Sequence, residues 1–573
     1  MHHLHPVCRG LAALLFLSAS GSELAAQADS AALALRTDSV FADYDRADAP
    51  GCALGVYRDG RIEYARGYGM ADLEHRVPIA THTVFDLGST SKQFTAASVL
   101  LLAQEGKLSL DDDVRRHVPE LPAYGTPITI RHLLNHTSGL RDYIGVLSMG
   151  GMRYDDVTTP QDALDAIVRQ RQLNFEPGTK HLYSNSGYFL LSIIVERVAG
   201  KSLRDFARER IFAPLGMERT HYLGSYDDVV PDRAIGYERR ADGTMRSDMP
   251  RWMQLGDGAV FSTVEELLRW DTNFYEPVVG GRALLDSLHE RGVLTDGTSL
   301  EYALGLIHGR YRGLRTVSHG GSWGGYRAEM LRFPDQRFSV ATLCNFASAN
   351  PSELALRVAD VHLAAALEPG VSPVAAERDA ANGPEGSVAA SVAQLRTLPG
   401  AYRDSATRAI WSLERRGDTL QLNTGMLLVL RPVGADEFEI VDGPVGQLRV
   451  ESEGGRVRGL RFESTDESGR FLERLDVVAP TAAELAMYEG SYRSDELLAD
   501  WRITRAGGTL RLERRGEPPM ELRPLDRDAF AAGSMELRFV RASEGSATAF
   551  SLDAGRARGI VFERVADDGG RRE

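Results

Sequence analysis

The stretch VFDLGSTSKQFTAASVLLLAQEG, residues 84–106, decides the reading of this chain. Gly88 interrupts whatever precedes it, and Ser89 is an N-cap candidate for the helix that follows. From Phe94 to Ala103 the segment is apolar or small, broken only by Thr95 and Ser98. A helix apolar on all sides predicts a buried helix. Its polar chemistry is gathered at one end, in Ser89-Thr90-Ser91-Lys92. Residues three apart share a helical face, so the Ser89 hydroxyl and the Lys92 amine can meet. A helix N-terminus also favours developing negative charge. Four residues therefore offer a nucleophile, a base and part of an oxyanion site. Of 66 lysines and arginines, only Lys92, Lys107, Lys180 and Lys201 are lysines. Keeping a lysine here points to a group that must lose its proton, which arginine cannot do.

Working outward, Ala31–Arg46 reads as an amphipathic helix. Strands follow at about Cys52–Tyr57 and Arg61–Tyr68, joined by the hairpin signal Asp59-Gly60. After Gly106 the signal is mostly helical to about Asp271, with Ile128–Leu134, Pro160–Arg169, Gly187–Val198, Leu203–Ile211 and Val264–Trp270 as helices. Strands return at about Tyr302–Arg310, Arg315–His319, Tyr326–Phe333 and Phe338–Cys344, and a last helix covers Ser352–Leu367. Strand-forming ends around a helical middle predict an α+β unit: one mainly antiparallel sheet, packed by terminal helices, with a helical insert.

The whole chain has 573 residues and a formal net charge of −14, which argues against nucleic acid as a partner. Residues 1–28 read as a secretory signal, with Arg9, the apolar run Leu11–Ser20 and cleavage near Ala28. No later stretch is long enough to span a membrane as a helix, so a periplasmic or secreted protein is expected. Cys52 and Cys344 would then be the mature cysteines, and two buried free thiols are expected. A catalytic unit 29–367 is followed by a Pro/Gly/Ala-rich linker, 368–392. Beyond it lies an internal repeat. LPGAYR (398–403) recurs as YEGSYR (488–493), Trp411 as Trp501, LRPV (430–433) as LRPL (522–525) and GRVRGLRFE (455–463) as GRARGIVFE (555–563). Each copy offers about eight short alternating strands and no convincing helix. Two small closed antiparallel barrels are expected, 393–480 and 481–573, with a sandwich as the alternative.

Two further motifs carry chemistry. Tyr183-Ser184-Asn185 is the single Y-x-N of the chain and precedes a helix. An ammonium beside Tyr183 would lower its pKa and let it pass protons, while Asn185 offers a donor and an acceptor to an amide. His319-Gly320-Gly321-Ser322 closes a strand, where glycines let a substrate backbone approach. The Ser322 N–H could complete an oxyanion hole with the Ser89 N–H. The overlapping Gly320-Gly321-Ser322-Trp323-Gly324 matches G-x-S-x-G, but that elbow needs a helix after the serine, and a strand hairpin follows here.

S-x-x-K, Y-x-N and H-G-G, in that order, resemble the penicillin-recognising serine hydrolases: class C β-lactamases, D-Ala-D-Ala carboxypeptidases, related esterases and D-aminopeptidases. FDLGSTSKQFT, LLNHTSGL (133–140), FEPGTKHLYSN, GDGAVFSTVEELLRW (256–270) and HGGSWGGYRAEMLRFPD agree with it. The resemblance covers about residues 30–368 and implies the β-lactamase/transpeptidase-like fold, with a helical subdomain facing the sheet across a cleft. It implies Ser89 as the acylated nucleophile, with Lys92 and Tyr183 sharing acid–base work. Asn185, His319, Gly320 and Gly321 would bind substrate, and the Ser89 and Ser322 backbones would hold the oxyanion. No cofactor and no metal are implied; the substrate would be a small peptide, amide or ester. Asn135 and His136 resemble structural markers of the family. Many members carry K-T-G or K-S-G where His319 and Gly320 stand here, which removes an ammonium and a hydroxyl that bind a substrate carboxylate. Arg327 could supply that charge. H-G-G followed by two barrels resembles the D-aminopeptidases, in which a loop of the last barrel reaches the cleft. Asp495, Glu496 or Asp526 could then face a substrate amine. A peptidase acting near D-amino acids is expected; a carboxylesterase or β-lactamase of the same family, or a non-catalytic penicillin-binding sensor, are the alternatives.

Overall fold

The computed structural model describes residues 30–566, apart from 241, 370–396, 406, 417–418, 425–426, 435, 441–445, 465–469, 478–479 and 543–544. The expected leader and most of the expected linker lie outside the described residues.

Helix α1 (30–40) precedes β1 (Cys52–Arg58) and β2 (Arg61–Tyr68). Asp59 and Gly60 between them both take positive φ, as the hairpin signal requires. The helical middle holds α2 (Lys92–Gln104), α3 (Asn185–Ala199) and α4 (Val264–Asn273). β3 (Ile307–Tyr311), β4 (Leu314–Trp323), β5 (Tyr326–Phe333) and β6 (Phe338–Cys344) then complete the sheet, and α5 (Pro351–His362) follows. The order is β3-β4-β5-β6-β1-β2, antiparallel throughout, so the first hairpin pairs against the last strand of the unit.

β1 shows why the sheet is central. Cys52, Leu54 and Val56 pack with α1, the turn after it and α5 on one face, through Val40, Phe41, Leu354 and Val358. Ala53 and Tyr57 point to the other face, into the core shared with the helical middle. A strand buried on both faces needs this double alternation. In α2, Lys92 to Leu102 are all buried, which accounts for a helix without a polar face.

Two expectations are corrected here. Cys52 and Cys344 form a disulfide, not two free thiols. They are direct cross-strand partners in β1 and β6, a register the sequence does not reveal. Ser89 does not cap α2. It lies inside a short 3-10 turn, Gly88–Ser91, and α2 begins at Lys92.

The repeat folds into two closed eight-stranded antiparallel barrels, from Gly400–Asp404 to Arg470–Arg474 and from Gly490–Ser494 to Ala557–Val565. The repeated tyrosines do the same job in both. Tyr402 and Tyr492 are buried, and each hydroxyl donates to the carbonyl four residues earlier, Leu398 and Tyr488. A short helix, Ala482–Ala486, opens the second copy where none is expected; its signal is the capping box Thr481/Glu484.

The second barrel docks on the helical subdomain through Arg141. Its guanidinium is fully buried and donates to the carbonyls of Arg558 (2.7 Å) and Gly559 (3.1 Å), to Gln170 Oε1 (2.9 Å) and to the buried Glu496 carboxylate. Removing one partner of such a pair strands the other charge, at a cost of about 3–5 kcal/mol. Arg141→Ala is therefore expected to lower the thermal unfolding midpoint and expose the second barrel to protease. An unchanged midpoint and digestion pattern would show that the pair does not hold the barrel.

Candidate active site

The nucleophile turn is fixed from below by β4. Thr90 Oγ1 donates to the His319 carbonyl at 3.0 Å. A Cβ on Gly321 would lie 1.9 Å from the Leu87 carbonyl oxygen, and one on Gly88 would lie 2.6 Å from the Ser322 amide nitrogen. The two glycines let turn and strand touch backbone to backbone, and this brings the Ser322 N–H beside the Ser89 turn.

Lys92 lies at the bottom of the cleft, completely buried. Its amine donates to Ser89 Oγ at 3.1 Å, to Asn185 Oδ1 at 3.0 Å and to the Asp257 carbonyl. It also stands 4.8 Å from the centre of the Tyr183 ring. Burial pulls its pKa down to about 7, the nearby Asp257 and Asp142 charges opposing the fall. Tyr183 moves the other way. The expectation of a lowered tyrosine pKa is corrected: burial raises it, against smaller downward pulls from Ser89 and Arg556. The ring packs against His136, at 4.1 Å between centroids, and the hydroxyl oxygen is buried, which disfavours a phenolate.

Asn185 is the first residue of α3 and is anchored within the site. Its backbone N–H and its Nδ2 both donate to Asp142 Oδ2, at 2.9 and 3.0 Å, while its Oδ1 takes Lys92. It orients the lysine, and the second proton of its Nδ2 stays available on the cleft side. His319 is buried and neutral, burial lowering its pKa to about 4. Its Nδ1 donates to the Gly320 carbonyl at 2.7 Å, which leaves Nε2 to accept from Tyr302 at 3.2 Å. Arg327 donates to the carbonyls of Gly324 and Tyr326, both at 2.7 Å.

The structure thus brings Ser89, Tyr183, Asn185, His319, Gly320, Gly321 and Ser322 to one open cleft of about 2560 Å³, with Lys92 buried directly beneath Ser89. It does not bring the three acids there. Glu496 is held by Arg141, Asp495 pairs with Arg171 at 3.3 Å and Asp526 with Arg538 at 3.8 Å. Among the described residues, none of the three lines the cleft. The second barrel instead contributes the hairpin tip Gly555-Arg556-Ala557. Ser322 lies within β4 and is followed by a hairpin into β5, so the nucleophile-elbow geometry is not formed.

Asp142, Tyr143 and Asp257 escaped the sequence reading. Tyr143 donates to Asp257 Oδ2 at 2.9 Å, and burial raises the Asp257 pKa. Lone carboxylates carry no local spacing signal. Only the tertiary fold shows that they surround Lys92.

The beta-lactamase family model matches residues 37–365. The chain belongs to the beta-lactamase family. Family membership makes it a serine hydrolase that works through an acyl-enzyme. Penicillin-binding protein 4* of Bacillus subtilis (strain 168) is 33% identical over 329 residues, 53% of this beta-lactamase-family chain and 70% of that one. A D-aminopeptidase of Brucella anthropi is 28% identical over 542 residues, 90% of this chain and 95% of that protein, so the match includes barrel sequence. The structure of the octameric penicillin-binding protein homologue from Pyrococcus abyssi superposes with a TM-score of 0.55 at 24% identity, covering 77% of this chain and 99% of that one. This last likeness is one of fold. No helix among the described residues is long and apolar enough to cross a membrane.

Proposed function

We propose that the protein is an exported peptidase of the D-aminopeptidase kind, acylated on Ser89 by peptides or amides of D-amino acids. The observation that carries this reading is the buried Lys92 amine, 3.1 Å from Ser89 Oγ and poised to lose its proton near neutral pH. The match to the Brucella anthropi enzyme along 90% of the chain supports the peptidase reading. The leader-like residues 1–28 support export, with cleavage near Ala28. The working units are 29–367 for catalysis, 368–392 as linker, and the barrels 393–480 and 481–573.

The chemistry follows from the donor count. An ammonium at Lys92 would spend three protons on Ser89, Asn185 and Asp257. A neutral amine has two, which stay on the two carbonyl oxygens, and its lone pair then faces Ser89. The Ser89 oxygen attacks the substrate carbonyl as its proton passes to Lys92. The oxyanion lies between the Ser89 and Ser322 N–H groups. Tyr183, kept protonated by burial, donates to the leaving nitrogen and is reprotonated from Lys92, and the C–N bond breaks. Water then enters by the reverse relay and releases the acid. Asn185 keeps Lys92 aligned, and His319, Gly320 and Gly321 form the strand edge against which the substrate backbone lies.

A panel of D- and L-aminoacyl p-nitroanilides beside p-nitrophenyl esters tests the reading. D-anilides should be turned over at least tenfold faster than their L-forms. Equal rates for both hands would overturn the D-specific reading. Turnover of esters alone would favour a carboxylesterase, for which one feature speaks. Trp252, Trp323 and the half-exposed Tyr154 pack at 5.6–5.8 Å into an aromatic wall of the cleft, suited to an apolar acyl group.

A further inference from the structure

The residue that changes the character of this cleft comes from the second barrel. Arg556 is the tip of the hairpin between Ala547–Ala554 and Ala557–Val565. Its backbone is clamped to the helical subdomain. The carbonyl accepts from Asp142 N at 3.2 Å and from Asn174 Nδ2 at 2.9 Å, and Asn174 Oδ1 accepts from Arg558 N at 2.9 Å. The buried Arg141 holds the Arg558 and Gly559 carbonyls just beyond it. This tip has a fixed place.

Its side chain lies over the Tyr183 ring, 4.8 Å from the centroid, and is half exposed to the cleft. The nearest carboxylate, Asp142, stands 3.9 Å away, beyond hydrogen-bond reach, and already accepts twice from Asn185. The guanidinium is therefore positioned with donors to offer. Arg470 of the first barrel lines the same cleft, paired with Asp404 at 3.1 Å, and the Arg556 charge reaches it. Two cations on one wall repel each other, and an anion there relieves the repulsion.

The groups that the H-G-G strand and its hairpin bring to the nucleophile turn do not compete for this task. His319 is neutral, Gly320 has no hydroxyl, and Arg327 is directed at two carbonyls. The acids that could have faced a substrate amine from the second barrel lie elsewhere. An arginine above Tyr183 disfavours an ammonium and favours a carboxylate, which its planar fork can take in two hydrogen bonds. Tyr183 faces the leaving group in the acyl-transfer reading, on which this step rests.

We propose that Arg556 is the carboxylate receptor of the cleft, so that preferred substrates are short peptides whose leaving residue carries a free carboxylate. His319 and Gly320 offer no charged group for it on the strand, and the second barrel supplies one above Tyr183.

The test uses the full-length protein and needs no turnover. Ser89 is labelled with a neutral fluorophosphonate, and D-alanyl-glycine or D-alanyl-glycinamide is added as protectant. The free acid should protect at about tenfold lower concentration than the amide, the worth of one charged hydrogen-bonded contact. Arg556→Gln should bring the two within about twofold, and Arg556→Lys should keep part of the difference. Lys92 feels the Arg556 charge too, but that influence acts on both labelling reactions alike and leaves the ratio untouched. Equal protection by acid and amide in the unaltered protein overturns the proposal, as does a preference that survives Arg556→Gln. Hydrolysis of the same two peptides is followed separately. If neither is cleaved while the acid still protects better, the peptidase reading fails and the carboxylate receptor stands.

Discussion

Ser89→Ala is expected to abolish turnover of every ester and amide, with a loss on the order of a thousandfold or more in kcat. A fluorophosphonate or penicillin probe is expected to label Ser89 in the unaltered protein and nothing in the variant. The reason is positional. Of Ser89, Ser91 and Ser322, at the nucleophile turn and beside it, only Ser89 has the Lys92 amine within hydrogen-bond reach, at 3.1 Å. Ser91 Oγ accepts from the Val260 N–H at 3.0 Å and is fully buried. Ser322 belongs to a strand whose backbone is pressed against the nucleophile turn. Mass spectrometry of the labelled peptide settles the assignment. Label on Ser322, with Ser89→Ala still active, would reject it.

Much of the framework could be read from the chain because its signals are local. Tyr326–Phe333 and Phe338–Cys344 form with the expected bounds, since alternation and the intervening turn at Pro334–Gln336 are written in consecutive residues. The strand expected from Tyr302 begins only at Ile307. Gly305 takes a positive φ and its backbone abuts the start of α2, so the segment before it turns to cover Lys92. The three chemical motifs were legible as spacing, and the cleft gathers them. What surrounds them was not. Asp142 and Asp257 are single acids in unrelated stretches, and Arg556 is one arginine among many. Their roles arise from contacts that join the helical subdomain, the surroundings of Lys92 and the second barrel across hundreds of residues. The direction of the Tyr183 pKa is hidden from the sequence for the same reason. Spacing shows a nearby ammonium but not the enclosure by His136 and Tyr302 that makes burial the larger effect.

Lys92→Arg is expected to be nearly as damaging as Lys92→Ala, lowering kcat on the order of a hundredfold or more. Arginine keeps the positive charge, but it cannot give up a proton at any pH the protein survives. The larger guanidinium must also fit a space that holds a single nitrogen between Ser89 Oγ, Asn185 Oδ1 and the Asp257 carbonyl. The pH profile separates charge from basicity. Burial places the Lys92 pKa at about 7, so the neutral amine that can accept the Ser89 proton is populated above that value and lost below it. Acylation should therefore rise with pH through the neutral range and level off above it, falling about tenfold per unit on the acid side. This limb should vanish in Lys92→Arg, because no group in contact with Ser89 then titrates in the neutral range. Stopped-flow acylation by a p-nitrophenyl ester, measured across pH 5–9 on both proteins, reads the difference directly. Near-normal rates for the arginine variant, or an unaltered acid limb, would reduce Lys92 to an electrostatic aid and require the base to be sought elsewhere in the cleft.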